Sequence, residues 1–248
     1  MSFKDHFSTQ SAIYRTARPR YAPELFAWLA AQCPTRTLAW DAGCGTGQAS
    51  LGLAGHFERV IATDPSAAQV AQAETAANLE YRVERAEHST LEDASADLIT
   101  VAQALHWFEL DAFHAEVRRV LRPGGIVAQW SYADCQVTPA VDAVKQKLYV
   151  DLLDRYWPPE RRLVESGYAE LAFPFARLET PAFELAAHYD LAAFLAYLRS
   201  WSATQRYIAA NGSDPVDELG AQFAAAWGDA SEIRLVRWDL VLRVGRYD

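Results

Sequence analysis

Two short apolar segments in the first third of the chain each end in an acidic residue, and a glycine-rich loop follows the first of them. The loop reads Asp41-Ala-Gly-Cys-Gly-Thr-Gly47, and the second segment reads Val60-Ile-Ala-Thr-Asp64. In a βαβ unit, this spacing places the loop and a lone carboxylate at the carboxyl ends of neighbouring parallel strands, where open α/β sheets bind nucleotides. Glycines let the backbone approach a ligand closely, and a carboxylate can accept hydrogen bonds from both hydroxyls of a ribose. The pattern predicts a site for a nucleoside cofactor.

The spacing of the three glycines narrows the choice of nucleoside. Gly43, Gly45 and Gly47 follow a G-x-G-x-G pattern, whereas a site for a nicotinamide dinucleotide typically has G-x-G-x-x-G. No basic residue follows the loop, so it does not match the Walker type of phosphate-binding loop either. A dehydrogenase is therefore the weakest of the enzyme hypotheses.

The segments around this loop alternate regularly between strand and helix patterns. The predicted strands are 37–40, 59–63, 79–84, 97–102 and 126–130, and the predicted helices are 24–31, 48–56, 65–76 and 111–121. Such β-α repeats with short connections are typical of a doubly wound α/β fold. We therefore predict a Rossmann-like, mostly parallel seven-stranded sheet. Its core domain, residues 1–130, begins with an N-terminal lid segment.

The pattern changes after the fifth predicted strand. Residues 131–180 are rich in aromatic residues and proline without a clear period, which predicts a helical, aromatic cap inserted over the carboxyl edge of the sheet. Residues 181–248 contain two predicted helices, at 190–202 and 214–227, and an alternating segment at 233–244 that predicts an antiparallel strand. We expect this last part to complete the sheet.

The composition of the 248 residues limits the partners. A formal net charge of −9 argues against a nucleic acid partner, which needs a basic face. The three cysteines show neither pairing nor zinc spacing, which predicts no metal site and fits a reducing compartment. No apolar run is long enough for a membrane span, and the polar N-terminus lacks the apolar region of a signal peptide. We expect a cytoplasmic monomer or homodimer that acts on a small molecule.

The loop from Asp41 to Gly47 resembles the first motif of the class I S-adenosylmethionine-dependent methyltransferases, which reads D-x-G-C-G-T-G. The segments Gln103-Ala-Leu-His-Trp107 and Val120-Leu-Arg-Pro-Gly-Gly125 are similar to the family's motifs after the fourth strand and before the fifth. The lead-in Tyr14-Arg-Thr-Ala-Arg-Pro-Arg-Tyr-Ala-Pro23 is similar to that of the subgroup around trans-aconitate methyltransferase, within methyltransferase type 11. The resemblance implies S-adenosylmethionine as the cofactor.

The resemblance also implies roles for the loop and for the acid after the second strand. Asp64 would hold the ribose hydroxyls, with capping of the next helix as the alternative or additional role. Asp41 would mainly organise the loop, with an added link to the methionine amino group. Cys44 would serve compact packing, and a nucleophilic thiol is the weaker alternative.

Further cofactor contacts are implied from the third strand and from the lead-in. Glu87 would lie beside the adenine, or be a simple surface charge. Tyr14 or Arg18 would contact the methionine carboxylate, or be ordinary residues of an amphipathic segment. The predicted cofactor-binding residues are Tyr14, Arg18, Asp41, Gly43, Cys44, Gly45, Gly47, Asp64, Pro65, Ala86, Glu87 and Gln103.

On the acceptor side, His106 and Trp107 directly follow the fourth strand and are the candidate catalytic residues. His106 would act as a general base or orient the acceptor, and the alternative is a structural histidine bonded to a loop carbonyl. Trp107 would form the wall of the pocket or a cation–π contact with the sulfonium.

The predicted reaction is methyl transfer to a small molecule, with an oxygen nucleophile such as a carboxylate as the favoured acceptor. A carboxylate needs no base, and arginines such as Arg162 or Arg199 would orient it. A phenol or hydroxyl would instead make His106 the natural base. The alternatives are a carrier-bound acid or protein terminus as acceptor, and a non-catalytic module that binds S-adenosylmethionine.

Overall fold

The computed structural model describes residues 18–248, so Tyr14, a predicted cofactor-binding residue, lies outside the described residues. One sheet forms the centre, with apolar clusters on both of its faces. The strands are β1 (Leu38–Ala42), β2 (Arg59–Thr63), β3 (Leu79–Arg82), β4 (Ala96–Ala102), β5 (Leu121–Gln136), β6 (Ala176–Arg177), β7 (Leu185–Tyr189) and β8 (Arg234–Arg246). The α-helices are α1 (Pro23–Gln32), α2 (Gln48–Ala54), α3 (Ala67–Val70), α4 (Leu110–Val120), α5 (Pro139–Gln146), α6 (Arg161–Glu165), α7 (Leu191–Arg199), α8 (Ser202–Asn211), α9 (Pro215–Glu218) and α10 (Gly220–Trp227).

The sheet follows the order β3-β2-β1-β4-β5-β8-β6, and β7 also pairs with β8. The first five strands are parallel to one another, whereas β8 runs antiparallel to β5. The strand order reverses at β1, and ligands of open α/β sheets bind at such a switch point, outside the carboxyl ends of the strands. The prediction of a doubly wound, mostly parallel α/β sheet with an antiparallel C-terminal strand is confirmed.

The sheet has eight strands, one more than the predicted seven. The sequence pattern predicted neither β6 nor β7, which pair with opposite ends of the long β8. β5 also continues past its predicted end at residue 130, because β8 pairs with it as far as Gln136. Local periodicity missed these segments because pairing of a short strand depends on its neighbours in space.

The helix prediction for 65–76 was too long. α3 ends at Val70, and the hydroxyl of Tyr81 donates to the carbonyl of Glu74 at 2.8 Å in the segment that follows. This tertiary hydrogen bond overrides the high helix propensity of the alanine-rich segment. The predicted helix at 214–227 is likewise two helices, α9 and α10, which meet at Leu219.

Large apolar side chains pack against each face of the sheet. Trp40 on β1 packs edge-on against Phe113 of α4, with ring centroids 6.3 Å apart. On the opposite face, Leu25 of α1 and Leu53 of α2 belong to one buried cluster with Trp130. Within residues 18–248, no helix combines the length and apolar character that crossing a membrane requires.

The loop between β1 and α2 packs tightly against the segment that follows β4. Gly43 has a φ of +71°, and a Cβ on it would lie 2.6 Å from the Cβ of Ala104 and 2.9 Å from the Cζ of Phe108. Real Cβ atoms do not approach so closely, and left-handed backbone disfavours every residue with a side chain. Only glycine fits at this position.

We expect Gly43→Ala to lower the free energy of unfolding by about 3 kcal/mol, since left-handed strain and overpacking add together. Gly212→Ala is the matched control, because Gly212 also has a positive φ (+72°) but no atom lies within 4 Å of the added Cβ. Strain alone should cost the control about 1 kcal/mol. Urea unfolding of both variants measures the difference, and equal losses would show that close packing at Gly43 is not the cause.

Candidate active site

A cavity of about 720 Å³ opens at the carboxyl ends of the parallel strands, and residues of the predicted cap lie on its other side. Its volume falls in the range typical of sites for small molecules and cofactors. The predicted residues that line it are Gly43, Cys44, Gly45, Asp64, Pro65, Ala86, Glu87, Gln103 and Trp107. The structure thus brings together residues from four separate loops, as the sequence pattern predicted.

Asp64 lies at the carboxyl end of β2 and connects the loops on its two sides. Its Oδ2 accepts a hydrogen bond from the backbone N–H of Gly45 at 2.9 Å, and its Oδ1 accepts one from Ser66 at 2.8 Å. A carboxylate offers about four acceptor positions, enough for these two amides and for ribose hydroxyls. The side chain that caps α3 belongs to Ser66, which accepts from the backbone N–H of Gln69. The capping alternative for Asp64 is therefore wrong, and its two backbone hydrogen bonds organise the turn in a way that is compatible with ligand binding.

Gln69 also lines the cavity, although the sequence analysis did not select it. Its side chain is 7% exposed, and its Oε1 accepts no hydrogen bond from any residue in 18–248. This oxygen lies 3.8 Å from the position that a Cβ on Gly45 would take. A buried acceptor without a donor is unfavourable, and a hydroxyl of a bound nucleoside would satisfy it. The available sequence signal was the Ser66-x-x-Gln69 spacing, which resembles a helix capping box.

Glu87 is a buried carboxylate at the adenine side of the predicted site. Its Oε1 accepts a hydrogen bond from the backbone N–H of Glu109 at 3.0 Å, and Arg85 donates to Oε2 at 3.1 Å. Burial favours the neutral acid, but these two donors outweigh burial and lower the pKa of Glu87. Glu87 is therefore an ionised and oriented acceptor that is 6% exposed, and not a surface charge.

Asp41 lies beneath the loop and is fully buried. It accepts hydrogen bonds from the hydroxyls of Ser50 at 2.6 Å and Thr100 at 2.8 Å, and it is not among the residues that line the cavity. Burial raises the pKa of Asp41 to about 6, although both hydroxyls favour the ionised form. These contacts fit the loop-organising role. Its link to the methionine amino group stays a prediction.

Cys44 and Gly47 complete the loop. Burial, together with the charges of Asp41 and Asp64, raises the pKa of the Cys44 thiol well above its usual value. A thiol that stays protonated is a poor nucleophile, so the structure favours the packing role for Cys44. Gly47 precedes α2 in a left-handed conformation and packs against the Tyr81 side chain, away from the cavity lining.

The lead-in segment contributes a different residue from those predicted. Arg18 donates to the carbonyl of Ser200 at 3.3 Å and lies 5.4 Å above the ring of Tyr197, and it does not line the cavity. Tyr21, which the sequence analysis did not select, does line it. Among its described residues, this segment therefore reaches the cavity through Tyr21 and not through Arg18.

His106 and Trp107 lie in a single 3₁₀ turn, Leu105–Trp107, directly after β4. Trp107 lines the cavity, whereas His106 does not. The Nδ1 of His106 is 2.9 Å from the hydroxyl of Tyr168. Burial and the nearby Arg161 cation lower the pKa of His106 to about 3, so the imidazole is neutral at pH 7. These contacts favour the structural alternative, with a phenol as partner in place of the expected loop carbonyl.

The far side of the cavity is formed by Tyr132 of β5, by Arg206 of α8 and by Pro158, Pro159 and Glu160 before α6. The two arginines named in the sequence analysis lie elsewhere. Arg162 is exposed, and Arg199 forms ion pairs of 2.6 Å with both Asp214 and Asp217. Arg206, and neither Arg162 nor Arg199, lies at this side of the cavity.

The raised pKa of Asp41 predicts a pH dependence of stability. The folded chain binds this proton more tightly than the unfolded chain, so the free energy of unfolding falls as pH rises from about 4 to about 6. The loss for this one group is about 3 kcal/mol at most. Asp41→Asn removes this titrating group, so the free energy of unfolding of the variant, relative to that of wild type, should increase as pH rises across that range. Urea unfolding from pH 4.5 to 7.5 tests this, with the exposed Asp239→Asn as control. Parallel wild-type and Asp41→Asn curves would contradict the prediction.

Comparison with known proteins gives the family. A family profile for the methyltransferase domain matches residues 40–129. A protein of Dictyostelium discoideum assigned as a methyltransferase is 37% identical over 221 residues, which cover 88% of this chain and 84% of that protein. A solved structure from Anaeromyxobacter dehalogenans, assigned as a type II methyltransferase, is 48% identical with a TM-score of 0.86, and the match covers 92% of this chain and 97% of that one.

A more distant structure shares the fold. The phosphoethanolamine N-methyltransferase 2 of Haemonchus contortus, solved with phosphomonomethylethanolamine and S-adenosylhomocysteine, is 18% identical with a TM-score of 0.54, and the match covers 100% of this chain and 60% of that one. In the comparisons with the Dictyostelium and Anaeromyxobacter proteins, the similarity covers most of this chain and most of the other protein. It extends well beyond the residues that the family profile matches. The donors and acceptors around the cavity also suit a nucleoside. The chain therefore belongs to the class I methyltransferases, enzymes that use S-adenosylmethionine as the methyl donor.

Proposed function

We propose that this methyltransferase acts on a small molecule through an oxygen nucleophile, and that this nucleophile is a carboxylate. The observation that carries the proposal is Arg206, which lines the cavity on the side opposite the glycine loop. A guanidinium matches the planar geometry of a carboxylate and stays charged at all physiological pH values. The similarity of the segment around Tyr21 to the trans-aconitate methyltransferase subgroup supports the same acceptor class.

The state of His106 agrees with an acceptor that needs no base. S-adenosylmethionine supplies, when bound, a methyl group already activated on a sulfonium. A carboxylate is a nucleophile without losing a proton, whereas a phenol would need a base. His106 is neutral and its Nδ1 is engaged by Tyr168. The residues of the chain are then left with orientation of the acceptor and exclusion of water.

The cap side of the cavity suits the small size of this acceptor. Pro158 and Pro159 restrict the backbone on this side of the cavity. The aromatic side chains of Trp107 and Tyr132 also line the cavity. An apolar wall with one cation favours a compact acid that has an apolar part. Glu160, which lines the same side, would repel a second carboxylate placed next to it.

The cofactor part of the proposal is tested by Asp64→Asn. Loss of the charge should weaken binding of S-adenosylmethionine and S-adenosylhomocysteine by about tenfold or more, as charge-assisted hydrogen bonds to ribose are weakened. Asp229→Asn is a matched control, because Asp229 also accepts from the backbone N–H of a serine two residues later, at Ser231, but does not line the cavity. Calorimetry measures the affinity of both variants for the two ligands. Unchanged affinity in Asp64→Asn would contradict a role for its charge.

The acceptor part is tested by methyl uptake from labelled S-adenosylmethionine across a panel of small carboxylic acids and phenols. For an acid that is turned over, Arg206→Gln should lower kcat/KM by about 10- to 100-fold, with unchanged affinity for S-adenosylhomocysteine. Arg155→Gln is the control. Both arginines donate a hydrogen bond to Tyr156, but Arg155 is exposed and does not line the cavity. Turnover of phenols alone would exclude the carboxylate, and an Arg206→Gln variant as active as the control would exclude the role of Arg206.

A further inference from the structure

The turn Leu105–Trp107 forms part of the cavity wall but has no capping side chain of its own. The residue before it, Ala104, makes no side-chain cap hydrogen bond. Ala104, Trp107 and Phe108 all line the cavity. The position of this turn therefore decides the shape of the wall, and contacts from other segments must hold it in place.

Tyr168, from the segment after α6, contacts the turn through the side chain of His106. Its hydroxyl is 2.9 Å from the Nδ1 of His106, and the centroids of the two rings are 6.0 Å apart. The phenol is the donor in this hydrogen bond when Nδ1 carries no proton. Tyr168 is fully buried, so no water competes for this bond.

The hydrogen bond between the two side chains persists over the neutral pH range. Burial raises the pKa of the Tyr168 phenol above its usual range, so the proton that it donates stays in place. The imidazole of His106 is neutral for the same reason, burial, with Arg161 adding to the effect. A neutral pair of this kind holds a position and moves no proton.

Tyr168 is itself fixed from the other side by the last strand. Its φ is +62°, a left-handed conformation that non-glycine residues adopt only when their surroundings hold them there. Arg243 of β8 donates to the carbonyl of Tyr168 at 2.6 Å and to that of Leu171 at 2.9 Å. The guanidinium also lies 4.9 Å above the ring of Phe173. Arg243 is 8% exposed, so the segment is held by a buried cation.

The turn is in contact with the glycine loop on its other side. The Cβ of Ala104 and the ring of Phe108 both come closer to Gly43 than a side chain there would allow. The ring of Phe108 also packs against Phe113 of α4, with centroids 4.9 Å apart. A displacement of the turn therefore opens or closes the contact with Gly43.

We propose that Tyr168 is a positioning residue of the methyltransferase site. Its hydroxyl holds the turn Leu105–Trp107 so that Trp107 and Phe108 form the cavity wall against Gly43, and it acts through His106 without touching the reactants. The inference rests on the use of this cavity for S-adenosylmethionine and not on the identity of the acceptor.

The test compares Tyr168→Phe with Tyr197→Phe. Tyr197 is also buried, at 1% exposure, and its hydroxyl accepts one hydrogen bond of 2.8 Å from Trp238, away from the cavity. Hydrogen exchange of the amides of residues 104–108 is measured by mass spectrometry, and affinity for S-adenosylhomocysteine by calorimetry. In Tyr168→Phe we expect exchange at least tenfold faster and affinity about three- to tenfold weaker, with both unchanged in the control. Failure of either effect, or equal effects in the two variants, would overturn the proposal.

A second pair of variants applies if Tyr168→Phe does not fold. His106→Asn retains an acceptor near the place of Nδ1, whereas His106→Leu does not. Slow exchange of residues 104–108 in His106→Asn and fast exchange in His106→Leu would support the proposal, and equal rates would overturn it. None of these measurements uses an acceptor, so failure of the carboxylate proposal leaves them unaffected. If the wild-type chain does not bind S-adenosylhomocysteine, the assignment of this cavity to S-adenosylmethionine is wrong instead.

Discussion

The carbonyl oxygen of Thr63 holds the cofactor loop in its place. It accepts hydrogen bonds from the backbone N–H groups of both Gly43, at 2.8 Å, and Cys44, at 3.0 Å. Two successive amides can reach one oxygen only when the chain turns sharply, and the positive φ of Gly43 provides that turn. The next residue, Asp64, takes the amide of Gly45. The end of β2 therefore sets the path of the whole loop after β1.

Asp41 shows that this arrangement has a cost. Its carboxylate joins the loop, through Ser50 of α2 and Thr100 of β4, in a buried group of polar contacts. A buried carboxylate whose side-chain hydrogen bonds come from two hydroxyls is less stable in its charged form than it would be in water. The same group fixes the relative positions of three elements around the site. The chain thus combines a local loss of stability with a well-defined binding loop, as is common at functional sites.

Residues that act through local spacing could be predicted, and residues that act through distant contacts could not. Gly43 and Asp64 line the cavity as expected because the βαβ pattern alone places them there. Arg206 comes from a segment with no local signal of a site, and Tyr21 lies in the predicted lead-in without any signal that distinguishes it from its neighbours. Arg199 has the expected charge, but its partners Asp214 and Asp217 lie outside the cavity. Charge can be read from a sequence, whereas the partner of a charge depends on the fold.

His106 and Gln69 illustrate the same limit in more detail. The position of His106 after a buried strand correctly predicted a place near the cavity. Its partner Tyr168 is 62 residues away, so nothing in the local pattern could have separated a base from a structural histidine. Gln69 resembled a helix-capping residue, and only the packing around it leaves its oxygen available to a ligand.

The position of β8 has a consequence for the order in which the site is assembled. β8 pairs with β5 along most of its length, although residues 137–233, which include most of the predicted cap, lie between them in the chain. A ribosome releases β1 to β5 and the glycine loop first, while Arg243 follows only after the cap has been made. Closing so long an intervening segment is entropically unfavourable and slow compared with local folding. The nucleoside loop can thus form early, whereas the Tyr168 segment that contacts the turn Leu105–Trp107 is fixed only after Arg243 has been made.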